Sequence, residues 1–165
     1  MRFDLEGSGK MRHVILVLLL AAISLLSACS YITDFIVINE SREPMQVRYK
    51  VKKFPGAFTP PVAPATIPMS QLSTKGNQQW SQLASGDYQL DQESRTVIVR
   101  VLPHQALRIA TMHHYGGHQD SADAQDFPVE EITMSGEDGE RRFTGPQART
   151  TFSEVSRALY TLTYQ

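Results

Sequence analysis

The chain has 165 residues, of which 41% are hydrophobic, and its formal net charge at pH 7 is −1. This length suits one domain of ordinary size, and the weak charge argues against a nucleic-acid binder, which would show a basic field. The single cysteine, Cys29, excludes an intrachain disulfide bond.

Residues 1–28 have the layout of an export signal. The basic residues Lys10 and Arg12 precede an apolar run over 14–28 that ends in small side chains. This run is shorter than the roughly 20 residues that a membrane-spanning helix needs, so a transmembrane anchor is the weaker of two interpretations. From Met11 onward the chain already contains a complete short signal, and we expect translation to start there.

The end of the apolar run, Leu26-Ser27-Ala28-Cys29, resembles the lipobox of bacterial lipoproteins. In that family the cysteine thiol, a strong nucleophile, receives a diacylglyceryl group. A dedicated signal peptidase then cuts before the cysteine, and the new amino terminus is usually acylated as well, for example with palmitate. The resemblance implies that Cys29 is the lipidation site. An intermolecular disulfide through Cys29 is the alternative.

The resemblance also implies a location. In a Gram-negative host, Ser30 in place of aspartate directs a lipoprotein to the outer membrane, where it faces the periplasm. Residues 29–31 would then be the lipidated terminus and a very short tether, since apolar alternation begins at Ile32. We expect residues 32–165 to form one β-sandwich domain that lies close to the membrane.

Most segments of this domain alternate apolar and polar residues with the period of two that indicates β-strands. The first two strands are predicted at 32–39 and 45–54, joined as a hairpin by a turn at 40–44. The proline-rich stretch 55–68 predicts an extended loop. This loop either crosses between sheets or docks onto a protein partner.

The rest of the chain continues the β pattern. The Asp138-Gly139 pair predicts a tight hairpin. Residues 147–156 predict one or two helical turns, with Ala148, Phe152 and Val155 on one side. Seven or eight strands and little helix indicate an antiparallel β-sandwich with a short helical segment near the C-terminus. The further strands are predicted at 86–91, 95–102, 106–112, 128–134, 141–144 and 158–164.

One cluster of possible metal ligands lies between residues 113 and 118. His113, His114 and His118 could gather Zn²⁺ or Cu²⁺. Neighbouring residues of a strand point to opposite faces, so only one of the first two could join His118. We take His114 as that ligand and His113 as its alternative. The competing interpretation is a polar loop at the end of a strand.

The sequence carries no nucleophile elbow, phosphate-binding loop or dinucleotide fingerprint. We therefore expect a non-catalytic protein with no cofactor beyond its lipid, which binds an envelope protein through an edge strand or the proline-rich loop. A periplasmic metal-binding lipoprotein is the alternative, and a hydrolase that assembles distant residues is a third possibility. Trp80, Tyr160 and Tyr164 are interpreted as packing residues.

Overall fold

The computed structural model describes residues 31–53, 62–74, 78–114, 127–156 and 158–165, without the side chains of Tyr31 and His114. The chain divides into two units. One comprises residues 1–31 and 114–119, and of these the structure describes only the backbone of Tyr31 and His114. The other, residues 32–113 and 120–165, contains the sheets.

The described residues form eleven strands, a short α-helix and a 3-10 turn at Met69–Gln71. In chain order the elements are β1 (Tyr31–Asn39), β2 (Met45–Val51), β3 (Ala65–Pro68), β4 (Ser81–Gln82), β5 (Tyr88–Asp91), β6 (Thr96–Val101), β7 (Gln105–His114), β8 (Val129–Gly136), β9 (Gly139–Thr144), α1 (Pro146–Thr150), β10 (Ser153–Ser156) and β11 (Leu159–Tyr164).

The strands form two sheets, which confirms the predicted all-β sandwich. One sheet has the order β10-β11-β1-β7-β3-β4, and the other has the order β5-β6-β2-β8-β9. The eight predicted strands are all present. Three more, β3, β4 and β10, have only two to four residues each. Such short segments depend on pairing with a neighbour and leave little alternation in the sequence.

The hairpin predicted for β1 and β2 is wrong, because these strands belong to different sheets. Their connection crosses from one sheet to the other around the fully buried Asn39. The amide Nδ2 of Asn39 donates to the carbonyl oxygens of Glu43 at 2.9 Å and Val101 at 3.1 Å. Its Oδ1 accepts from the backbone N–H of Ser41 at 3.1 Å and the hydroxyl of Ser41 at 2.7 Å. Asn39 therefore holds the crossing to the end of β6.

The sandwich is not purely antiparallel, since β1 and β11 run parallel. Asp34 lies beside Leu159 at one end of this pair, and Asn39 lies beside Tyr164 at the other. Both strand directions have the same side-chain period of two, so the sequence pattern could not reveal this.

The main core lies between the sheets and is built from alternate strand positions. Phe35 of β1 is its aromatic centre. Its ring lies 4.8 Å from the ring of Phe127 and 5.5 Å from that of Phe152, between centroids. Other fully buried members are Val47, Tyr49, Val97, Leu107, Ile109, Ile132 and Met134.

A second, smaller apolar cluster involves the opposite side of β1. Ile36 and Ile38 of β1 belong to it, together with Ile67, Ala106 and Leu159. Met69, Leu72 and Trp80, from the segment between β3 and β4, pack against it. Both faces of β1 are therefore buried, which explains its nearly continuous apolar sequence.

The C-terminal part confirms one prediction and corrects another. The β8–β9 hairpin forms as predicted, with Gly139 at a φ of 106°, which favours glycine. The helix ends at Thr150. Ala148 and Phe152 are buried, as expected. Val155 is 47% exposed. The helical pattern was wrong for this residue because it lies on β10.

Candidate partner-binding edge

Several predicted functional residues lie outside the described part of the chain. These are Cys29, His118 and residues 55–61, the first half of the proline-rich stretch. Lipidation of Cys29 thus stays a prediction. Pro68, at the end of that stretch, is the last residue of β3. No helix among the described residues is long and apolar enough to span a membrane.

The histidine cluster is described only in part. His113 and His114 are the last two residues of β7, and His113 is exposed. The side chain of His114 and residues 115–126 are not described, so the pairing of His114 with His118 stays a prediction. Within the described ranges, no group of three or more His, Cys, Asp or Glu side chains is placed to hold a metal ion.

The sheets have four described edges, formed by β4, β5, β9 and β10. With six residues β9 is the longest, since the others have two to four. Its pairing with β8 is regular from Gly136 and Gly139 to Glu131 and Thr144, whereas the pairing of β10 is irregular. In an antiparallel pair, alternate residues direct N–H and C=O away from the partner. Hence β9 presents a row of backbone groups along an edge that no other described strand covers.

The side chains of β9 are mostly exposed, with Phe143 half-buried against the core. Arg142 Nη2 lies 2.9 Å from Glu131 Oε2 on β8. That hydrogen bond raises the pKa of Arg142, a residue type that stays charged in proteins in any case. The guanidinium Cζ of Arg141 lies 5.3 Å from the ring centroid of Tyr164. An exposed ion pair such as Glu131 with Arg142 contributes little stability and can exchange partners readily.

An open groove of about 340 Å³ adjoins this edge. It is lined by Arg142 and Phe143 of β9, by Gln147 and Thr150 of α1, and by Thr151. An apolar ring beside amide and hydroxyl groups can receive a side chain from an added strand and also hydrogen-bond to it. The groove and the open edge together form one surface, which we call the β9 surface.

Helix α1, which lines the groove of the β9 surface, is held in place by the side chain of Arg149. The guanidinium Cζ of Arg149 lies 4.2 Å from the ring centroid of Tyr160 and 4.8 Å from that of Phe35. The Tyr160 hydroxyl donates to Glu154 Oε2 at 2.9 Å. Burial and this hydrogen bond raise the pKa of Tyr160. Arg149 thus ties α1 to β1 and β11, while the helix also contacts β8 and β9.

A second polar cluster surrounds Asp34, which is only 8% exposed. The Thr111 hydroxyl donates to Asp34 Oδ1 at 2.7 Å, and Arg108 Nη1 lies 4.0 Å from the same oxygen. The guanidinium of Arg108 lies over the Trp80 ring at 5.1 Å. A buried carboxylate needs a hydrogen bond and a counter-charge. Thr111 and Arg108 meet both needs of Asp34, so the cluster has a structural role. Trp80 packs against Arg108 and the smaller apolar cluster, which confirms the packing role expected for it.

In three comparisons with known proteins, no protein family, no curated protein and no solved structure matches this chain. Two features of the chain itself bear on its function. These are the lipobox-like sequence at 26–29 and the β9 surface.

Proposed function

We propose that the protein is a lipid-anchored, non-catalytic lipoprotein of the bacterial envelope that binds an extended segment of a protein partner along β9. The sequence Leu26-Ser27-Ala28-Cys29 supports the anchor, and Ser30 supports an outer-membrane location facing the periplasm. The observation that carries the binding role is the open, regular edge of β9.

The edge of β9 lacks two of the features that protect sheet edges and keeps a third, exposed charged side chains. It contains no proline, and its pairing with β8 shows no register shift. The positive charges of Arg141 and Arg142 disfavour pairing between the β9 edges of two copies of the protein. These charges would favour a partner strand that carries acidic residues, because opposite charges across a strand pair stabilise it by about 0.2–1 kcal/mol.

An added strand would obtain its affinity from backbone hydrogen bonds to β9. Its specificity would come from alternate side chains. One set would meet the exposed Arg142 of β9 and the half-buried Glu131 of β8. The other set would lie near Phe143 and the groove beside it. The partner segment should therefore alternate acidic and apolar residues.

The test is site-specific photo-crosslinking in intact cells. A benzophenone amino acid replaces Glu140 on β9 or, as the matched control, the exposed Gln89 on the edge strand β5. We expect adducts with one envelope protein from position 140 and none from position 89. Mass spectrometry of these adducts should locate the captured segment.

A charge reversal sharpens this test. Arg142→Glu should abolish the adducts from position 140 but leave the fold intact, since it breaks only an exposed ion pair. Identical adducts from positions 140 and 89 would contradict the proposal. Adducts that survive the reversal unchanged would contradict the role of the arginine.

A further inference from the structure

The sheet-containing unit begins at Ile32, only three residues after Cys29 in the sequence. Asp34 pairs with Leu159, which in turn pairs with Ser156 of β10. Asp34 also accepts the hydroxyl hydrogen bond from Thr111, near the end of β7. The beginnings of β1 and β11 and the ends of β7 and β10 therefore lie together. We call this the anchor end of the sandwich.

Two large apolar side chains are exposed at the anchor end. Ile32, the second residue of β1, is 51% exposed, and Val155 of β10 is 47% exposed. Val155 precedes Ser156, which lies in register with Leu159 and thus two strands away from Asp34. Both side chains are therefore within a few residues of the same sheet end.

A third exposed apolar residue, Leu102, lies at the opposite end and is 47% exposed. It follows Val101, whose carbonyl accepts from Asn39 Nδ2 at 3.1 Å. Asn39 is the last residue of β1, seven residues after Ile32. At about 3.3 Å per strand residue, the two ends are roughly 23 Å apart. Leu102 thus offers a control of similar exposure at the distant end.

The chain from Cys29 to Ile32 is too short to hold the anchor end away from lipid. An extended chain spans at most about 3.6 Å per residue, so the Cα atoms of these two residues are within about 11 Å. A lipid chain on Cys29 begins at the bilayer surface. Ile32 lies within that distance, and Val155 lies two strands from β1 at the same end of the sheet. Contact of such apolar side chains with the interfacial region removes them from water, which is favourable.

We propose that the sandwich stands end-on on the lipid bilayer, with Ile32 and Val155 in contact with its surface and the end that carries Leu102 pointing away. This inference depends on the lipid anchor of the proposed function. In this orientation the strands stand upright on the membrane. The edge of β9 then remains open to a partner along its whole length.

Tryptophan fluorescence in vesicles tests the orientation. The full lipidated chain, with its single tryptophan removed by Trp80→Phe, receives one of three changes: Ile32→Trp, Val155→Trp or Leu102→Trp. Each variant is reconstituted into phosphatidylcholine–phosphatidylglycerol vesicles with or without brominated upper acyl chains. We expect about twofold quenching of tryptophan fluorescence at positions 32 and 155, because tryptophan there would lie at the membrane interface that it prefers. We expect no quenching at position 102.

The outcomes separate the orientation from the anchor. If the chain floats with the vesicles and all three positions are quenched equally, or none is, the end-on orientation is wrong while the anchor stands. If the chain does not float with the vesicles, the anchor fails and the orientation fails with it. Should Trp80→Phe not fold, a benzophenone amino acid at the same three positions provides the same comparison through lipid adducts.

Discussion

Replacement of Asn39 by alanine tests the connection that joins the two sheets. The side chain of Asn39 makes four hydrogen bonds, two as donor and two as acceptor. Asn39→Ala removes all four bonds, and the buried carbonyl oxygen of Val101 loses the hydrogen bond from Asn39 Nδ2. We expect the crossing between β1 and β2 to loosen, although neither strand loses a ladder bond.

The size of the effect follows from burial. A buried polar group that loses its partner costs about 1–3 kcal/mol, while a partly exposed hydrogen bond contributes about 0.5–1.5 kcal/mol. The Asn39–Val101 bond is buried and the other three are partly buried. We expect Asn39→Ala to lower the free energy of unfolding by about 3 kcal/mol. For a domain of this size that is a fall in Tm of about 10 °C.

Urea denaturation of the full chain in non-ionic detergent, followed by far-ultraviolet circular dichroism, measures this loss. Ser41→Ala is the comparison variant, because it removes only one of the four Asn39 bonds, the partly buried one from the Ser41 hydroxyl, and one exposed bond to the carbonyl of Glu43. That variant should lose less than about 1 kcal/mol with an unchanged dependence on urea. Equal losses in the two variants would refute the argument that Asn39 holds the crossing.

Three further predictions use the same preparation. Tyr49→Phe should raise the free energy of unfolding by about 1 kcal/mol, because the buried Tyr49 hydroxyl has no hydrogen-bond partner among the described residues. Burial raises the pKa of Tyr49, so the wild-type protein should lose stability above about pH 10, where tyrosine ionises in the unfolded chain, and Tyr49→Phe should lose less. A wild-type free energy of unfolding that is the same at pH 8 and pH 11 would contradict this. Gly139→Ala should cost about 1–2 kcal/mol because of its positive φ, while Gly86→Ala, with open space around it, should be nearly neutral in the same denaturation assay. If the histidines bind metal, calorimetric titration should show Zn²⁺ binding that His114→Ala and His118→Ala abolish, and binding no tighter than millimolar would end that hypothesis.

Local pattern was enough to predict individual strands and their buried faces. In β2 the apolar positions are buried and the positions between them are exposed or half-buried, as the alternation predicts: Met45, Val47, Tyr49 and Val51 against Gln46, Arg48 and Lys50. The Asp138-Gly139 pair likewise marked the tip of the β8–β9 hairpin. Both signals come from residues that are close together in the chain, where the physical constraint is local.

The assignment of strands to sheets could not be predicted in the same way. A turn at 40–44 fits a hairpin and a crossing equally well, and the choice depends on Asn39 reaching Val101 on a distant strand. The β9 surface could not be predicted from the sequence for a similar reason. An edge exists only once the strand order is known, and the contact of Arg149 with Phe35 joins elements far apart in sequence.

The proposed membrane anchor requires lipidation at Cys29. Its most direct test is mass spectrometry of the amino-terminal peptide from membrane-extracted protein, with Cys29→Ala for comparison. We expect a peptide that begins at Cys29 and carries a diacylglyceryl group and an amide-linked acyl chain, and a Cys29→Ala variant that is not lipidated. A membrane-bound protein with an unmodified Cys29, or one that retains residues 14–28, would contradict the account.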